Sequence, residues 1–353
     1  MELSILKAAF DTLDHINDPR SKRGIRHPAP AIVKLMVFGF ISGKTSIEQI
    51  AALARESWEY IRTLFGFTYK NSPDATTLSR LLVMISRTQL EMLFEDFVSK
   101  IIGNDTFIAS VDGKAARNVK DEDGNILMAV NVFAHELKIA LAQWAVETKK
   151  GEPTVLAKML EPLFNRYPGL RILTGDAYYA GRSLCEAIVD LKRDYIVQIK
   201  GDQPKIQKAI KSWVKEEVHD AKKKPDATEK KKSNKKDEII TWKLWIEKGN
   251  IANHIREELN FPSVMQVAYL EKTILNLSTQ EKTIESGYYI TSAKQKILPP
   301  DNFLLGIRNH WGIENSLHHI LDRTMNEDKQ RSSTHEQGMN LKILRNLVIT
   351  QHK

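Results

Sequence analysis

Apolar positions at the start of the chain recur at helical spacing. Leu3, Leu6, Phe10, Leu13 and Ile16 fall three or four apart, the pattern of a helix with one buried face. A denser apolar run from about Pro30 to Ser42 predicts a helix buried on most sides. Between them, Asp18 to Pro28 is a basic loop bracketed by Pro19 and Pro28. Thr45-Ser46-Ile47-Glu48 reads as a helix start, with Thr45 as cap and Glu48 three residues on. Pro73-Asp74-Ala75-Thr76-Thr77 opens another helix through Ile85. Residues 1–100 are therefore expected to form an all-helical N-terminal domain. Its short helices and its arginines Arg55, Arg62 and Arg80 fit two readings equally, a helix-turn-helix-like DNA-binding module and a helical cap on the next domain.

Near Thr106 the period changes. Phe107 to Val111 is a short apolar strand that ends at Asp112, and Met128 to Ala134 and Ile139 to Val146 are two more, the first preceded by a Gly124-Asn125 turn. A helix is expected over Pro153 to Phe164, a strand over Arg171 to Gly175 ending at Asp176, a helix over Ser183 to Leu191 and a strand over Tyr195 to Ile199. Meandering strands followed by alternating helix and strand predict a mixed α/β sheet. From Lys205 to about Ser286 the character is that of a β-rich, basic insertion. Lys222-Lys223-Lys224 and Lys230-Lys231-Lys232 read as a basic loop, surrounded by strand-like runs at Ile239 to Ile246, Val264 to Leu270 and Lys282 to Tyr289. Beyond Pro299-Pro300 the chain reads as helical again.

Composition narrows the chemistry. Cys185 is the one cysteine of 353 residues, which excludes a disulfide framework within the chain and a cysteine-rich zinc site. The longest apolar stretch, Ala29 to Ile41, is too short to span a bilayer and is interrupted by Lys34. Met1-Glu2-Leu3-Ser4 lacks the layout of a signal peptide, so a cytoplasmic setting with no membrane role is expected. The net charge of +8 favours a polyanionic partner.

Asp112 and Asp176 share one context: each ends an apolar strand and precedes a small residue, Gly113 or Ala177. Taken singly, either reads first as a turn or helix cap. Brought together on adjacent strands they would repel, and a divalent cation removes that conflict. Mg²⁺ suits the donor set, since it takes carboxylates and water without thiolate. A third carboxylate, Glu314, lies on a helical stripe with His310, His318 and Asp322, four residues apart. That stripe is either a solvated face or the lining of a cleft. Zinc held by His310, His318 and Glu314 is a competing reading, but no His-Glu-x-x-His motif is present. Nor does the chain contain a Gly-x-Ser-x-Gly elbow or a P-loop.

Four segments make the pattern specific: Val111-Asp112-Gly113-Lys114, Thr174-Gly175-Asp176-Ala177, Asp194-Tyr195-Ile196-Val197-Gln198-Ile199-Lys200-Gly201-Asp202-Gln203-Pro204 and His310-Trp311-Gly312-Ile313-Glu314-Asn315-Ser316-Leu317-His318. In this order they resemble the transposases of ISAs-type insertion sequences, also called H-repeat-associated proteins. Asp18-Pro19-Arg20, Glu327-Asp328-Lys329-Gln330-Arg331 and Asn340-Leu341 extend the resemblance over nearly the whole chain. It implies an RNase H-like catalytic core, formed by residues 101–204 and 287–353, with a DDE active site. Asp112, Asp176 and Glu314 take the three acidic positions, 64 and 138 residues apart. The long second gap is the place of the β-rich basic insertion, residues 205–286. The resemblance further implies two Mg²⁺ ions, with Mn²⁺ able to substitute, transposon-end and target DNA as partners, a dimer on DNA and a bacterial cytoplasmic setting. Lys114, Lys200, His310, His318, Arg20 and Arg23 are the candidate DNA contacts.

The chain departs from the wider group of hairpin-forming DDE transposases. That group carries Tyr, Arg and Lys around its Glu; here Ile307, His310 and Leu321 stand at those positions. His319 also stands where the narrower family usually has Trp. Two other readings remain: a transposase-derived DNA-binding protein without catalysis, and a metal-dependent nuclease without strand transfer.

Overall fold

The computed structural model describes residues 3–23, 25–103, 105–120, 126–146, 151–233, 237–310, 313–329 and 334–351. Six helices form the N-terminal region: α1 (Leu3–Leu13), α2 (Ala29–Ile41), α3 (Ile47–Glu56), α4 (Trp58–Phe65), α5 (Ala75–Met84) and α6 (Arg87–Ile102). Their starts follow from local chemistry. Asp74 caps α5 by accepting from the Thr77 amide at 2.6 Å. The cap of α3 is Ser46 rather than Thr45: Ser46 Oγ accepts from the Gln49 amide, and Gln49 Oε1 accepts from the Thr45 amide. The capping box expected at 45–48 is thus displaced by one residue, because Gln49, not Glu48, lies where it can reach back.

The sheet has nine strands in the order β3-β2-β1-β4-β5-β9-β8-β7-β6. β1 (Phe107–Lys120), β2 (Ile126–Ala134) and β3 (Ile139–Val146) form an antiparallel meander. β4 (Leu170–Gly175) and β5 (Asp194–Ile199) add in parallel. α7 (Glu152–Arg166) and α8 (Arg182–Asp190) make the crossovers. This is an RNase H-like core. Residues 227–291 continue the same sheet: β6 (Ala227–Lys232), β7 (Glu238–Glu247), β8 (Gln266–Asn276) and β9 (Lys282–Thr291) extend it, with β9, which spans the boundary expected at 286, antiparallel to β5. α9 (Pro204–Trp213), continued by the π-helical segment Val214–Asp220, and α10 (Asn250–Glu257) lie between β5 and β9. The lysines at 230–232 are in edge strand β6, not in a loop. A lysine-rich edge strand discourages further strand pairing. The turn expected at Gly124-Asn125 lies outside the described residues.

The two faces of the sheet are covered by different helices. Ala109, Val111, Leu173 and Val197 belong to the main core, shared with Leu156 and Leu160 of α7 and Leu184 of α8. Ile108, Ile172 and Ile196, on the other face by strand alternation, pack with Phe303, Leu304 and Ile307 of α11 (Pro300–His310). The C-terminal helix α12 (His335–Gln351) joins the N-terminal helices to this core. Asn340 donates to the carbonyls of Leu82 and Ile85 at 2.8 and 3.0 Å, satisfying the end of α5, and Asn346 bonds Gln143 of β3. These polar side chains are buried because they complete another element's backbone or side-chain hydrogen bonds. Among the described residues, no helix is long and apolar enough to cross a membrane.

Candidate active site

β1 continues past Asp112, where a strand end was expected. Beyond Asp112, residues 113–120 are mostly small or polar, and they are held as strand by pairing with β2: Asp112 faces Asn131, Gly113 faces Val130 and Lys114 faces Ala129. What does end near Asp112 is the parallel pairing with β4, whose last rung is Ser110 against Thr174. Asp112 lies two residues beyond that rung on one strand and Asp176 two residues beyond it on the other. The two carboxylates therefore occupy matched positions where the strands part. Asp112 Oδ1 accepts from the Gly113 amide at 2.8 Å. Asp176 Oδ1 accepts from the Tyr178 amide at 2.8 Å, capping the short 3₁₀ turn Ala177–Tyr179. The turn-cap reading of Asp176 thus holds alongside its place in the site.

The third element runs along β1. After α11 the described chain continues as π-helical turns, Ile313–His318 and Ile320–Thr324, a geometry that often marks functional sites. Three members of the polar stripe expected from the sequence, His310, His318 and Asp322, reach residues of the sheet. His310 Nδ1 is 3.1 Å from Thr174 Oγ1. His318 Nδ1 is 3.7 Å from Asp112 Oδ2. Asp322 meets Lys114 at 2.5 Å. The backbone of Glu314 lies in the turn between the two histidines; its side chain is outside the described residues.

Beneath the site is a chain of hydrogen bonds that the sequence did not single out. His135 Nε2 bonds Ser110 Oγ at 2.7 Å, Ser110 bonds Thr174 at 2.6 Å, and Thr174 bonds His310. Burial depresses the His135 imidazole to about 3, with His310 adding to the shift. Burial likewise brings His310 to about 4, although Asp176 pulls the other way. His318 falls to about 3 through burial, with the charges of Lys342 and Lys114 contributing. All three rings are therefore neutral at pH 7 and bring no positive charge to the cleft.

The candidate cations separate into three settings. Lys114 is 7% exposed and does not present its ammonium to the cleft, because Asp322 and Glu327 hold it at 2.5 and 2.9 Å. Burial opposes its charge, but those carboxylates outweigh burial and raise its pKa. Lys200 follows β5, is exposed, and its charge adds to the lowering of the His310 pKa. Arg20 and Arg23 lie in the loop between α1 and α2. Arg20 is forked onto Asp18 at 2.8 and 2.7 Å and lines an open groove of about 440 Å³ with Arg80; Arg23 is exposed.

Another carboxylate missed in the sequence is Glu152, the first residue of α7 and 2% exposed. It reads locally as an ordinary acid at a helix start, and only the folded chain brings it to Gly113 and Tyr179. The donor set at the cleft is hard oxygen, and Cys185 is buried on α8, so the residues present fit Mg²⁺ or Mn²⁺ rather than a thiophilic metal. No cluster of three or more potential metal ligands occurs among the described residues, which do not include the Glu314 side chain.

Comparison with known proteins places this geometry in context. The profile of the family described as Transposase DDE domain matches residues 125–350; it spans Asp176 and Glu314 and begins after Asp112. A second profile, described as DDE_Tnp_1-associated, matches residues 10–98. The protein YbfL of Escherichia coli (strain K12) is 24% identical over 92% of this chain and 84% of its own length. YncI of Escherichia coli O157:H7, named a candidate transposase, is 27% identical over 92% of this chain and 82% of its own. YhhI of Escherichia coli (strain K12), named an H repeat-associated candidate transposase, is 24% identical over 92% and 84%. Among solved structures, a piggyBac transposase synaptic complex with hairpin DNA aligns with a TM-score of 0.45 at 8% identity, covering 99% of this chain and 74% of that one.

Proposed function

The chain belongs to the Transposase DDE domain family, and from that premise we propose that it is the DNA transposase of a bacterial insertion sequence, catalysing metal-dependent cleavage and strand transfer. The observation that carries this reading is the matched placement of Asp112 and Asp176 beyond the Ser110–Thr174 rung, faced by the π-helical turn of Glu314.

In this reading Asp112, Asp176 and Glu314 would hold two Mg²⁺, with Mn²⁺ able to replace them. Held there, divalent ions would supply activation of the attacking oxygen and stabilisation of the leaving one. The side chains do the rest. His318 steadies Asp112, and His310, anchored to Thr174, steadies the turn carrying Glu314. Lys200 offers a point charge to a phosphate at the edge of the cleft. Water attack on a phosphodiester at the element's end releases a 3′-hydroxyl. That hydroxyl attacks a target phosphodiester, one such bond forming as one breaks, so no external energy source is needed. Two ends must meet, which calls for a dimer on DNA.

The path of the DNA backbone away from the cleft follows α9. Gln203, next to α9, donates to the carbonyl of Ala180 at 3.0 Å, tying the helix to the turn after Asp176. Further along, Lys208, Lys211 and Lys215 line an open groove of about 390 Å³ with Gln207 and Ser212, and no carboxylate lines it. Replacing the three lysines together by Ala is expected to lower the slope of log affinity for duplex DNA against log salt by roughly 2–3, since each phosphate contact contributes about 0.9. Replacing them by Arg leaves the slope unchanged. An unchanged slope in the Ala variant removes α9 from the path.

The assay for the whole reading supplies Mg²⁺, a pre-nicked duplex bearing the element's end, and target DNA. Joined product is the expected result. Cleavage without joining identifies a nuclease, and a shifted but uncut duplex identifies a DNA-binding protein without catalysis.

A further inference from the structure

Glu152 is buried although it starts a helix, where an acidic side chain is ordinarily stabilised at the surface by the helix dipole. Desolvating a carboxylate costs several kcal/mol in general, so the place to which it is directed needs a reason. A Cβ built on Gly113 would stand 2.2–2.3 Å from the Glu152 carboxylate atoms. The carboxylate therefore lies against the backbone of the residue that follows Asp112. Tyr179, 2% exposed, donates its hydroxyl to Glu152 Oε2 at 2.9 Å. Tyr179 closes the turn that Asp176 caps, and its own Cβ would be 2.7 Å from a Cβ built on Gly175. One carboxylate thus connects the backbone beside Asp112 to the backbone beside Asp176. By strand alternation, Gly113 opens toward the face covered by α7, opposite the face on which Asp112 meets His318.

The glycines flanking the two aspartates have the same explanation. A side chain at 113 would displace Glu152, and one at 175 would meet the Tyr179 Cβ and displace that residue. Burial, together with the negative charges of Glu152, Asp112 and Asp176, raises the Tyr179 pKa far above its ordinary value, so the hydroxyl stays a donor.

We propose that Glu152 is a positioning residue of the active centre: bonded to Tyr179 and seated on Gly113, it sets the spacing of Asp112 and Asp176 at which they share divalent cations. This rests on the metal-dependent reading given above. Glu152 acts from behind the two aspartates and does not itself touch DNA.

Two variants of the full-length protein test it. Tyr179→Phe removes only the hydrogen bond; Glu152→Gln keeps the shape and removes the charge. Mn²⁺ binding is measured by calorimetry on the protein with duplex DNA, beside single-turnover cleavage, DNA affinity and melting temperature. Both variants are expected to weaken Mn²⁺ binding and slow cleavage by about 10–100-fold, the usual cost of losing a group that orients a metal ligand. DNA affinity and melting are expected to stay near wild type, and extra Mn²⁺ is expected to restore part of the rate. Wild-type Mn²⁺ affinity in both variants overturns the proposal, as does a rate loss that follows melting or DNA affinity instead. If the unaltered protein binds Mn²⁺ but does not cleave, the transposase reading fails while Mn²⁺ affinity still decides the role of Glu152. If it neither binds Mn²⁺ nor cleaves, both fall.

Discussion

Asp112→Asn is expected to reduce metal-dependent DNA cleavage by about a thousandfold while leaving DNA affinity and melting nearly unchanged. The substitution is nearly isosteric. The Asn side-chain oxygen can still accept from the Gly113 amide as Asp112 does, so the local backbone loses little. What is lost is the negative charge of one of two carboxylates at the parting of β1 and β4. In a two-metal site that charge helps to hold ions whose stabilisation of the transition state is worth several kcal/mol, and about 4 kcal/mol corresponds to roughly a thousandfold in rate. Single-turnover cleavage of an end-bearing duplex reads the effect, with gel shift and thermal melting as controls. An Asp112→Asn protein that still cleaves at the unaltered rate removes Asp112 from the catalytic trio. That outcome would matter, because the Transposase DDE domain profile begins after this residue, and its assignment rests on the strand geometry and the local motif.

The fold was legible where burial is written in short apolar runs. Phe107 to Val111, Arg171 to Gly175 and Tyr195 to Ile199 became the three parallel strands of the core, with only small shifts at their starts. What pairing alone decides was not legible. Gly113 to Lys120 has no apolar run, yet it is strand because β2 lies beside it. The lysines of β6 read as loop for the same reason. The polar stripe at His310, His318 and Asp322 was found from four-residue spacing, but π-helical turns are invisible to a helical period drawn from α-helices.

The site shows the same division. Asp176 follows the end of β4 and Lys200 the end of β5, as the apolar runs predict, whereas Asp112 lies within β1 and only its parallel pairing with β4 ends near it. Lys114 read as a phosphate ligand because the motif Asp-Gly-Lys is local, whereas the carboxylates that claim it, Asp322 and Glu327, are more than two hundred residues away. His135 and Glu152 have no neighbouring chemistry in the sequence; only the meander and the α7 crossover bring them to Ser110 and Gly113. Residues that touch the reacting groups carry local signatures, and residues that hold those groups in place need not.

Glu327→Gln is expected to destabilise the protein by about 3–5 kcal/mol, the usual cost of breaking a buried ion pair from one side. Glu327 is 4% exposed and accepts from Lys114 and Lys342 at 2.9 and 3.4 Å, and Arg345 acts on it as well. Burial alone would raise its pKa, but Lys342, Lys114 and Arg345 together bring it down to about 2, from an ordinary value of 4.5. A carboxyl with a depressed folded pKa contributes stability that is fully present above about pH 4.5 and is lost as pH falls toward 2. Thermal melting at neutral pH should therefore fall by on the order of 10 °C. The acid limb of the unaltered protein between pH 4.5 and 2 should be shallower in the variant, which has no proton to take up at this position. Adding Lys342→Met should recover part of the loss, since an apolar replacement removes a buried ammonium left without its partner. The effect reaches the site through His318, on which Lys342 and Lys114 act and which stands 3.7 Å from Asp112. A Glu327→Gln protein with unaltered melting and an unaltered acid limb would show that the cluster contributes no net stability.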